Sequence, residues 1–173
     1  MISTADFQKI KALIFDIDGT LTDGTYGYSN DGHTIKFFNM QDQHWLKLAI
    51  RAGLMTAFLS GRDDMSSRRF AEDAKVTTAV FGSANKLNAY ELLLNELGVS
   101  PEETLYAGDD VVDMPVLKRA GIAVIPANAV SALDEVAQWR THAAGGKGVA
   151  QEIIQRVLQE QNQYDTILER YRK

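Results

Sequence analysis

The sequence predicts an α/β protein with a Rossmann-like, doubly wound parallel sheet. Short apolar runs alternate along the chain with longer segments of helical periodicity, which is the pattern of strands joined by crossover helices. The first run, Ala12 to Phe15, is apolar throughout, as in a strand that is buried on both faces. Two of the runs end directly in groups of aspartates, at the end of the strand where ligands bind in open α/β sheets.

The pattern indicates five strands and seven helices. The strands are expected at 11–16, 54–59, 78–81, 104–107 and 122–125. The helices are expected at about 3–10, 42–52, 63–75, 85–97, 114–120, 131–137 and 149–160. In the helix 85–97, Leu92 is expected on the apolar side together with Leu87, Leu93 and Leu97. The tail 161–173 carries apolar residues spaced like one helical face.

The segment 25–39 interrupts this rhythm and predicts a β-hairpin. Tyr26 and Tyr28 alternate with small residues, Asn30-Asp31-Gly32 supplies a turn, and residues 35–38 are strand-like. We therefore expect a single domain, 1–173, with a hairpin insertion after the first strand and no large cap domain. The exposed aromatic residues of the hairpin are expected to pack on another subunit or at the substrate entrance.

Composition narrows the class of protein. The 173 residues are 45% hydrophobic and 24% charged, which is ordinary for one domain with a sizeable core. The net charge of −5 gives no global attraction to nucleic acid or to anionic membranes. The absence of cysteine excludes disulfides and thiolate metal sites. With no apolar signal core near the N-terminus and no run of membrane-spanning length, the expected location is the cytoplasm.

Asp16 and Asp18 follow the first strand and are followed by Gly19 and Thr20. Two carboxylates in a tight site resist joint ionisation, so a bound cation would stabilise them. Mg²⁺ takes oxygen ligands and is commonly held by one or two carboxylates and a substrate phosphate. One carboxylate could then attack phosphorus while the other passes a proton to the leaving oxygen. The alternative is a plain strand-ending turn, which Asp, Gly and Thr also favour.

A second acidic group, Asp109, Asp110 and Asp113, follows the strand 104–107. Three crowded acids are costly without a cation, although a helix N-terminus with an acidic first turn would account for Asp113 alone. Lys86 begins a helix, where a cation opposes the helix dipole, so this lysine also indicates a functional need.

Ser60-Gly61-Arg62 connects a core strand to a helix. A hydroxyl, a flexible backbone and a helix N-terminus together form a phosphate-binding corner. Arg62 could pair with a carboxylate or phosphate of the substrate, or form an ordinary surface ion pair.

The string Asp16-Ile17-Asp18-Gly19-Thr20-Leu21-Thr22-Asp23 resembles the first motif of the haloacid dehalogenase-like (HAD) phosphohydrolases. The resemblance implies that Asp16 is the nucleophile and Asp18 the general acid/base. Ser60 is similar to the second-motif hydroxyl, Lys86 to the third-motif lysine, and the acids after Gly108 to the fourth motif.

This resemblance also implies a set of ligands and contacts. A Mg²⁺ ion would be held by Asp16, Asp18 through its backbone carbonyl, and Asp109, with Asp110 and Asp113 as supporting or alternative ligands. The residues assigned to the substrate are Ser60, Gly61 and Lys86 for phosphate, and Arg62 and Asp23 for the remainder.

The length, the hairpin, Thr22-Asp23-Gly24, Gly-Asp-Asp-x-x-Asp and Gly145-Gly146-Lys147-Gly148 resemble the 3-deoxy-D-manno-octulosonate 8-phosphate (KDO 8-phosphate) phosphatases. That family makes a lipopolysaccharide precursor, lacks a mobile cap and forms tetramers through its hairpins, with the C-terminal tail near a neighbouring site. The resemblance implies a phosphorylated sugar acid as substrate and a homotetramer. The sequence departs from the family at Gln43-His44-Trp45 and at Gln151, which are expected near the distal end of the substrate.

Two alternatives remain from the sequence. One is a phosphatase for nine-carbon, sialic-acid-type 9-phosphates or another small sugar phosphate. The other is a phospho-acceptor receiver domain, which also uses clustered aspartates, a lysine and Mg²⁺. The order of the motifs favours the hydrolase, because the acidic pair ends the first strand and the second acidic cluster follows the fourth. His33, His44 and His142 show no metal-binding spacing.

Overall fold

The computed structural model describes residues 2–173 and contains a six-stranded, all-parallel sheet. Its strands are β1 (Ala12–Phe15), β4 (Met55–Leu59), β5 (Thr78–Val80), β6 (Thr104–Ala107), β7 (Ile122–Ile125) and β8 (Trp139–Arg140), while β2 (Gly27–Tyr28) and β3 (Thr34–Ile35) form a separate sheet. The order in the large sheet is β5-β4-β1-β6-β7-β8, with β1 and β6 at the centre. The register pairs Phe15 with Phe58 on one side and Ala107 on the other, so β1, β4 and β6 end at the same level. The α/β fold and its parallel sheet are confirmed.

Helices cover both faces of the sheet. They are α1 (Thr4–Lys9), α2 (Met40–Arg51), α3 (Met65–Ala74), α4 (Lys86–Leu97), α5 (Met114–Leu117), α6 (Val149–Glu160) and α7 (Tyr164–Leu168). Leu13 and Phe15 of β1 pack in the core formed with α1, α2, α3 and α6, while Ile14 packs in the core formed with α4 and α5. Successive side chains of a strand point to opposite faces, which is why β1 is apolar at every position.

The expected hairpin is present as two short antiparallel strands, β2 (Gly27–Tyr28) and β3 (Thr34–Ile35). The hairpin is shorter than predicted, because its second strand ends at Ile35 and does not extend over residues 35–38. After Ile35 the chain turns inward, so that Lys36 is buried and the ring of Phe38 stacks on Phe70 at 4.0 Å, while Phe37 remains 83% exposed. The hairpin is therefore anchored to α3 at its second strand.

Several element predictions were wrong in detail. The strand β8 was missed, because two residues are too short to show a periodicity. The helix expected at 114–120 ends at Leu117, and the one expected at 131–137 is a 3₁₀ turn over Ser131–Glu135. Leu92, expected on the apolar side of α4, is exposed.

The C-terminal tail packs on α2 of its own chain. Tyr164 stacks on Trp45 at 6.1 Å, and the Tyr171 hydroxyl lies 3.2 Å from His44 Nε2 and accepts a hydrogen bond from Arg51 at 3.2 Å. The bulky residues at 44 and 45 therefore contact the tail rather than the substrate pocket, which differs from the expectation for them. Within residues 2–173, no helix combines the length and the apolar character needed to cross a membrane.

Candidate active site

A pocket of about 300 Å³ opens at the carboxyl ends of β1, β4 and β6. The common register of these strands brings together residues that lie far apart in the sequence. The pocket is lined by Asp16, Asp18, Gly24, Tyr26, Gly61, Arg62, Lys86, Asp109, Asp110 and Val112. Seven of the residues predicted to act in catalysis or to bind metal or substrate thus line one cavity.

Asp16 lies at the floor of this pocket and is nearly inaccessible. Its Oδ1 is 2.8 Å from Lys86 Nζ. Burial and the nearby charge of Asp113 raise the pKa of Asp16 well above its usual range, and Lys86 opposes this rise. The carboxylate therefore needs further positive charge in order to stay ionised.

Asp113 is completely buried and has a donor on each side. Its Oδ1 accepts hydrogen bonds from Lys86 Nζ at 2.6 Å and from the Tyr106 hydroxyl at 2.5 Å. Its Oδ2 accepts from the backbone N–H groups of Asp109 at 3.1 Å and Asp110 at 3.2 Å. With four donors already bound, Asp113 is suited to orient Lys86 and the 109–110 backbone.

Asp109 completes the acidic group. The Thr20 hydroxyl donates a hydrogen bond to its Oδ1 at 3.2 Å. Burial and Asp113 raise the pKa of Asp109 to about 6. Gly19, at φ +91°, lies so close to Asp109 that a Cβ at that position would overlap the carboxylate.

One carboxylate oxygen from each of Asp16, Asp109 and Asp113 lies within 4.8 Å of the others. Three carboxylate oxygens grouped in a mostly buried place form the kind of site that a small divalent cation stabilises. The residues present therefore fit Mg²⁺, and carboxylates 16 and 109 lie close enough to share it.

Lys86 is the first residue of α4, whose N-terminus is capped by the Asn85 side chain. Burial acts to lower the pKa of Lys86, but Asp16 and Asp113 together raise it above its usual value. The side chain is thus held as a buried cation beside the pocket, in spite of the unfavourable helix dipole.

The remaining predicted residues lie at different distances from the pocket. Gly61 and Arg62 line it, and the Arg62 guanidinium stacks over the Tyr26 ring at 4.2 Å. Ser60 is buried beneath them, and its hydroxyl accepts the Arg62 N–H at 3.1 Å. Asp110 is exposed at the rim. Asp23 does not line the pocket; its Oδ1 binds the backbone and hydroxyl of Thr25, which starts the hairpin.

A family model described as haloacid dehalogenase-like hydrolase matches residues 80–153. The KDO 8-phosphate phosphatase of Salmonella typhi is 34% identical over 162 residues, which cover 91% of this chain and 84% of the Salmonella protein. The enzyme of Haemophilus influenzae is 37% identical over 158 residues, covering 89% and 86%. The chain belongs to the KDO 8-phosphate phosphatase family of HAD-like hydrolases.

Solved structures agree with this assignment. A KDO 8-phosphate phosphatase from Moraxella catarrhalis, described in complex with magnesium, phosphate and KDO, superimposes with a TM-score of 0.93 at 27% identity, covering 97% of both chains. A cobalt-bound Haemophilus influenzae phosphatase gives 0.90 at 33% identity, covering 93% of this chain and 94% of that one. As a member of this family, the protein is a phosphoric monoester hydrolase, and the receiver alternative is set aside.

One buried cation of this phosphatase was not predicted from its sequence. Lys36, from the hairpin, lies 2.6 Å from Asp18 Oδ1 and 2.6 Å from Asp64 Oδ2. No local pattern indicates this burial, because a lysine in a hairpin is usually exposed. Thr20 and Tyr106, which bind Asp109 and Asp113, were also missed, although Thr20 stood within the recognised first motif.

Proposed function

We propose that this phosphatase hydrolyses KDO 8-phosphate to KDO and inorganic phosphate, with Mg²⁺ and through an aspartyl-phosphate. The observation that carries the proposal is the convergence of Asp16, Asp109 and Lys86 on one pocket, with the buried Asp113 bonded to Lys86. Its support is the family to which the chain belongs, including a relative described in complex with magnesium, phosphate and KDO.

In the first step, a carboxylate oxygen of Asp16 attacks phosphorus, and the bond between phosphorus and the sugar oxygen breaks. Asp18 gives its proton to that oxygen, so that the sugar leaves as an alcohol. In the second step, Asp18 takes a proton from water as the water oxygen attacks phosphorus. The bond to Asp16 breaks, which returns the free carboxylate and releases phosphate.

Mg²⁺ would be held by Asp16, the Asp18 backbone carbonyl and Asp109, with Asp110 and Asp113 in supporting roles. When bound, it would neutralise charge on the phosphate and carboxylates. Lys86 places a fixed positive charge 2.8 Å from Asp16, next to where the transferred group would lie. Asp113 holds Lys86 in that position from the other side.

The phosphate would bind against Ser60, Gly61 and Lys86, and the sugar acid would extend toward Arg62 and Asp23. The Arg62 guanidinium lies at the pocket wall on the Tyr26 ring, where it could donate two hydrogen bonds to a carboxylate of the substrate. Nine-carbon sugar acid 9-phosphates share this chemistry and are the alternative substrates.

The test measures phosphate release from KDO 8-phosphate, a nine-carbon sugar acid 9-phosphate and 4-nitrophenyl phosphate, each with and without a chelator. We expect KDO 8-phosphate to give the highest kcat/KM and the chelator to abolish turnover. Asp16→Asn should lose activity by about 10³-fold or more, because the nucleophile is removed. The matched control is Asp73→Asn, a surface carboxylate of α3 paired with Arg69, which should retain full activity.

Turnover by Asp16→Asn, or activity that a chelator leaves unchanged, would contradict the mechanism. A preference for the nine-carbon substrate would contradict only the assigned sugar.

We also propose a homotetramer whose subunit contacts involve the hairpin and the C-terminal tail. Its support is the exposure of Tyr28, Phe37 and Met40 on and beside the hairpin. The cytoplasmic location stays a prediction from the sequence.

A further inference from the structure

The mechanism above gives no role to the buried charge of Lys36. The side chain of Lys36 is fully inaccessible to solvent, although it comes from the hairpin that protrudes from the sheet. Removing an ammonium group from water is strongly unfavourable unless charged and polar partners replace the water. The partners that Lys36 has acquired therefore indicate its role.

Lys36 Nζ has three partners, which match its three N–H donors. It lies 2.6 Å from Asp18 Oδ1 and 2.6 Å from Asp64 Oδ2, and it donates to the Ser67 hydroxyl at 3.0 Å. Asp64 is in turn the N-cap of α3, because its Oδ1 accepts the Ser67 N–H at 2.9 Å. Lys36 thereby ties the side chain of Asp18 to the first turn of a rigid helix.

This arrangement holds the carboxyl group of Asp18 through one of its oxygens. Oδ1 lies 2.6 Å from Lys36 Nζ. Asp18 lines the pocket with 26% of its side chain exposed. The lysine thus holds Asp18 through Oδ1 while part of the side chain stays open to the pocket.

We propose that Lys36 is a positioning residue that holds the Asp18 carboxyl group through Oδ1, in an orientation from which the group exchanges a proton with the leaving group. The inference rests on the proposed function, since it needs Asp18 as the general acid. Lys36 is not among the residues that line the pocket. It acts through Asp18, and the hairpin becomes part of the catalytic apparatus rather than only a surface for assembly.

A purely structural role for Lys36 makes a different prediction. Loss of an anchor for the hairpin would lower turnover of every substrate to the same extent. Loss of a positioned acid would lower turnover in proportion to how much the leaving oxygen needs a proton. Alkyl phosphates such as KDO 8-phosphate need one, whereas 4-nitrophenolate leaves without it.

The experiment compares Lys36→Met with the unmodified enzyme on both substrates. We expect kcat to fall by about 10²- to 10³-fold on KDO 8-phosphate and by less than about tenfold on 4-nitrophenyl phosphate, with KM for the aryl ester nearly unchanged. The control is Lys118→Met, an exposed lysine just after α5, which should leave both rates unchanged.

A double-mutant cycle provides the second measurement. If Lys36 acts through Asp18, then adding Lys36→Met to Asp18→Asn should cause no further loss on KDO 8-phosphate. Equal losses on the two substrates, or losses that add in the double variant, would overturn the proposal. Ser67→Ala, which removes only the hydroxyl partner, repeats the comparison in a milder form should Lys36→Met fail to fold.

The outcome separates this inference from the proposed function. If Asp18→Asn itself shows no dependence on the leaving group, the assignment of Asp18 fails, and the inference about Lys36 fails with it. If Asp18→Asn shows the dependence and Lys36→Met does not, only the inference fails. If KDO 8-phosphate is not a substrate, a series of phenyl phosphates with poorer leaving groups carries the same comparison.

Discussion

Asp42 is a fully buried acid in α2 whose carboxylate lies at the N-terminus of α6. Its Oδ1 accepts the Gln151 N–H at 2.8 Å, while its Oδ2 has no hydrogen-bond partner in the described structure. Burial raises the pKa of Asp42 to about 6, although the backbone N–H groups at the start of α6 oppose the rise. The unpaired oxygen is the natural place for a proton.

This carboxylate should make stability depend on pH. Because the pKa is higher in the folded than in the unfolded state, the folded protein binds more protons between about pH 4 and 6, and stability falls as pH rises through that window. Asp42→Asn keeps an oxygen for the Gln151 N–H but carries no charge. The variant should therefore gain stability relative to the unmodified protein, by up to about 3 kcal/mol above pH 6.

Urea unfolding at pH 4.5 and at pH 7.5 measures this difference. Comparing the two proteins cancels the contributions of the other acids, including those of the active site. Asp73→Asn serves again as the control, because the Asp73 carboxylate is on the surface. Between the two pH values, the free energy of unfolding of this variant should change by the same amount as that of the unmodified protein. If the free energy of unfolding of Asp42→Asn also changed by the same amount as that of the unmodified protein, the prediction would be contradicted.

Individual site residues could be predicted from the sequence where their residue type is unusual for their local position. Asp16, Asp18 and Asp109 follow apolar strands, and Lys86 opposes a helix dipole, so each could be identified locally. Lys36 and Asp42 could not, because their burial results from packing between segments distant in the sequence. A hydrophobic pattern in the sequence indicates which residues face the core. It does not indicate which charged side chains are buried together as pairs.

Among the elements, the glycine-rich loop 145–148 has a strict steric role. Gly145 lies against the backbone of Gly19 and Thr22, and a Cβ there would overlap the Gly19 carbonyl. The Gly146 N–H donates to the Thr20 carbonyl at 3.1 Å. This loop therefore supports the catalytic segment 16–23 from behind.

Gly145→Ala should displace the catalytic segment. We expect kcat/KM to fall by about 10- to 100-fold, since small displacements of reacting groups have effects of this size. The matched control is Gly27→Ala in β2, where an added Cβ meets no atom within 4 Å. Full activity in Gly145→Ala, or an equal loss in Gly27→Ala, would show that the contact is not important.

The elements themselves were predicted well where they are long. Five strands and the four long helices have hydrophobic patterns that extend over enough residues to be recognised. The sixth strand, Trp139–Arg140, is defined only by its pairing with β7, which is a tertiary feature. The lengths of the short helices were overestimated for a related reason. The residues that flank these helices have a helical pattern in the sequence but form turns in the structure.

For the whole molecule, the surface of the hairpin predicts self-association. Phe37 is 83% exposed, with Tyr28 and Met40 also open to solvent, and isolated domains rarely expose several large apolar side chains together. Light scattering should give the mass of four chains. Phe37→Asp should shift the population to smaller species, since an interface would have to bury the new charge.

The control for this experiment is Leu92→Asp on α4, which is also exposed but lies away from the hairpin. It should retain the mass of the unmodified protein, and circular dichroism should confirm that both variants are folded. A monomer at micromolar concentration in the unmodified protein would contradict the tetramer.

The contact between the glycine-rich loop 145–148 and the catalytic segment 16–23 has a consequence for biosynthesis. Asp16 and Asp18 leave the ribosome early, but the loop that holds their segment in place is translated after all six strands. A nascent chain therefore carries both aspartates long before they are fixed in position. We expect catalytic competence to arise only late in translation, so that prematurely terminated products are inactive.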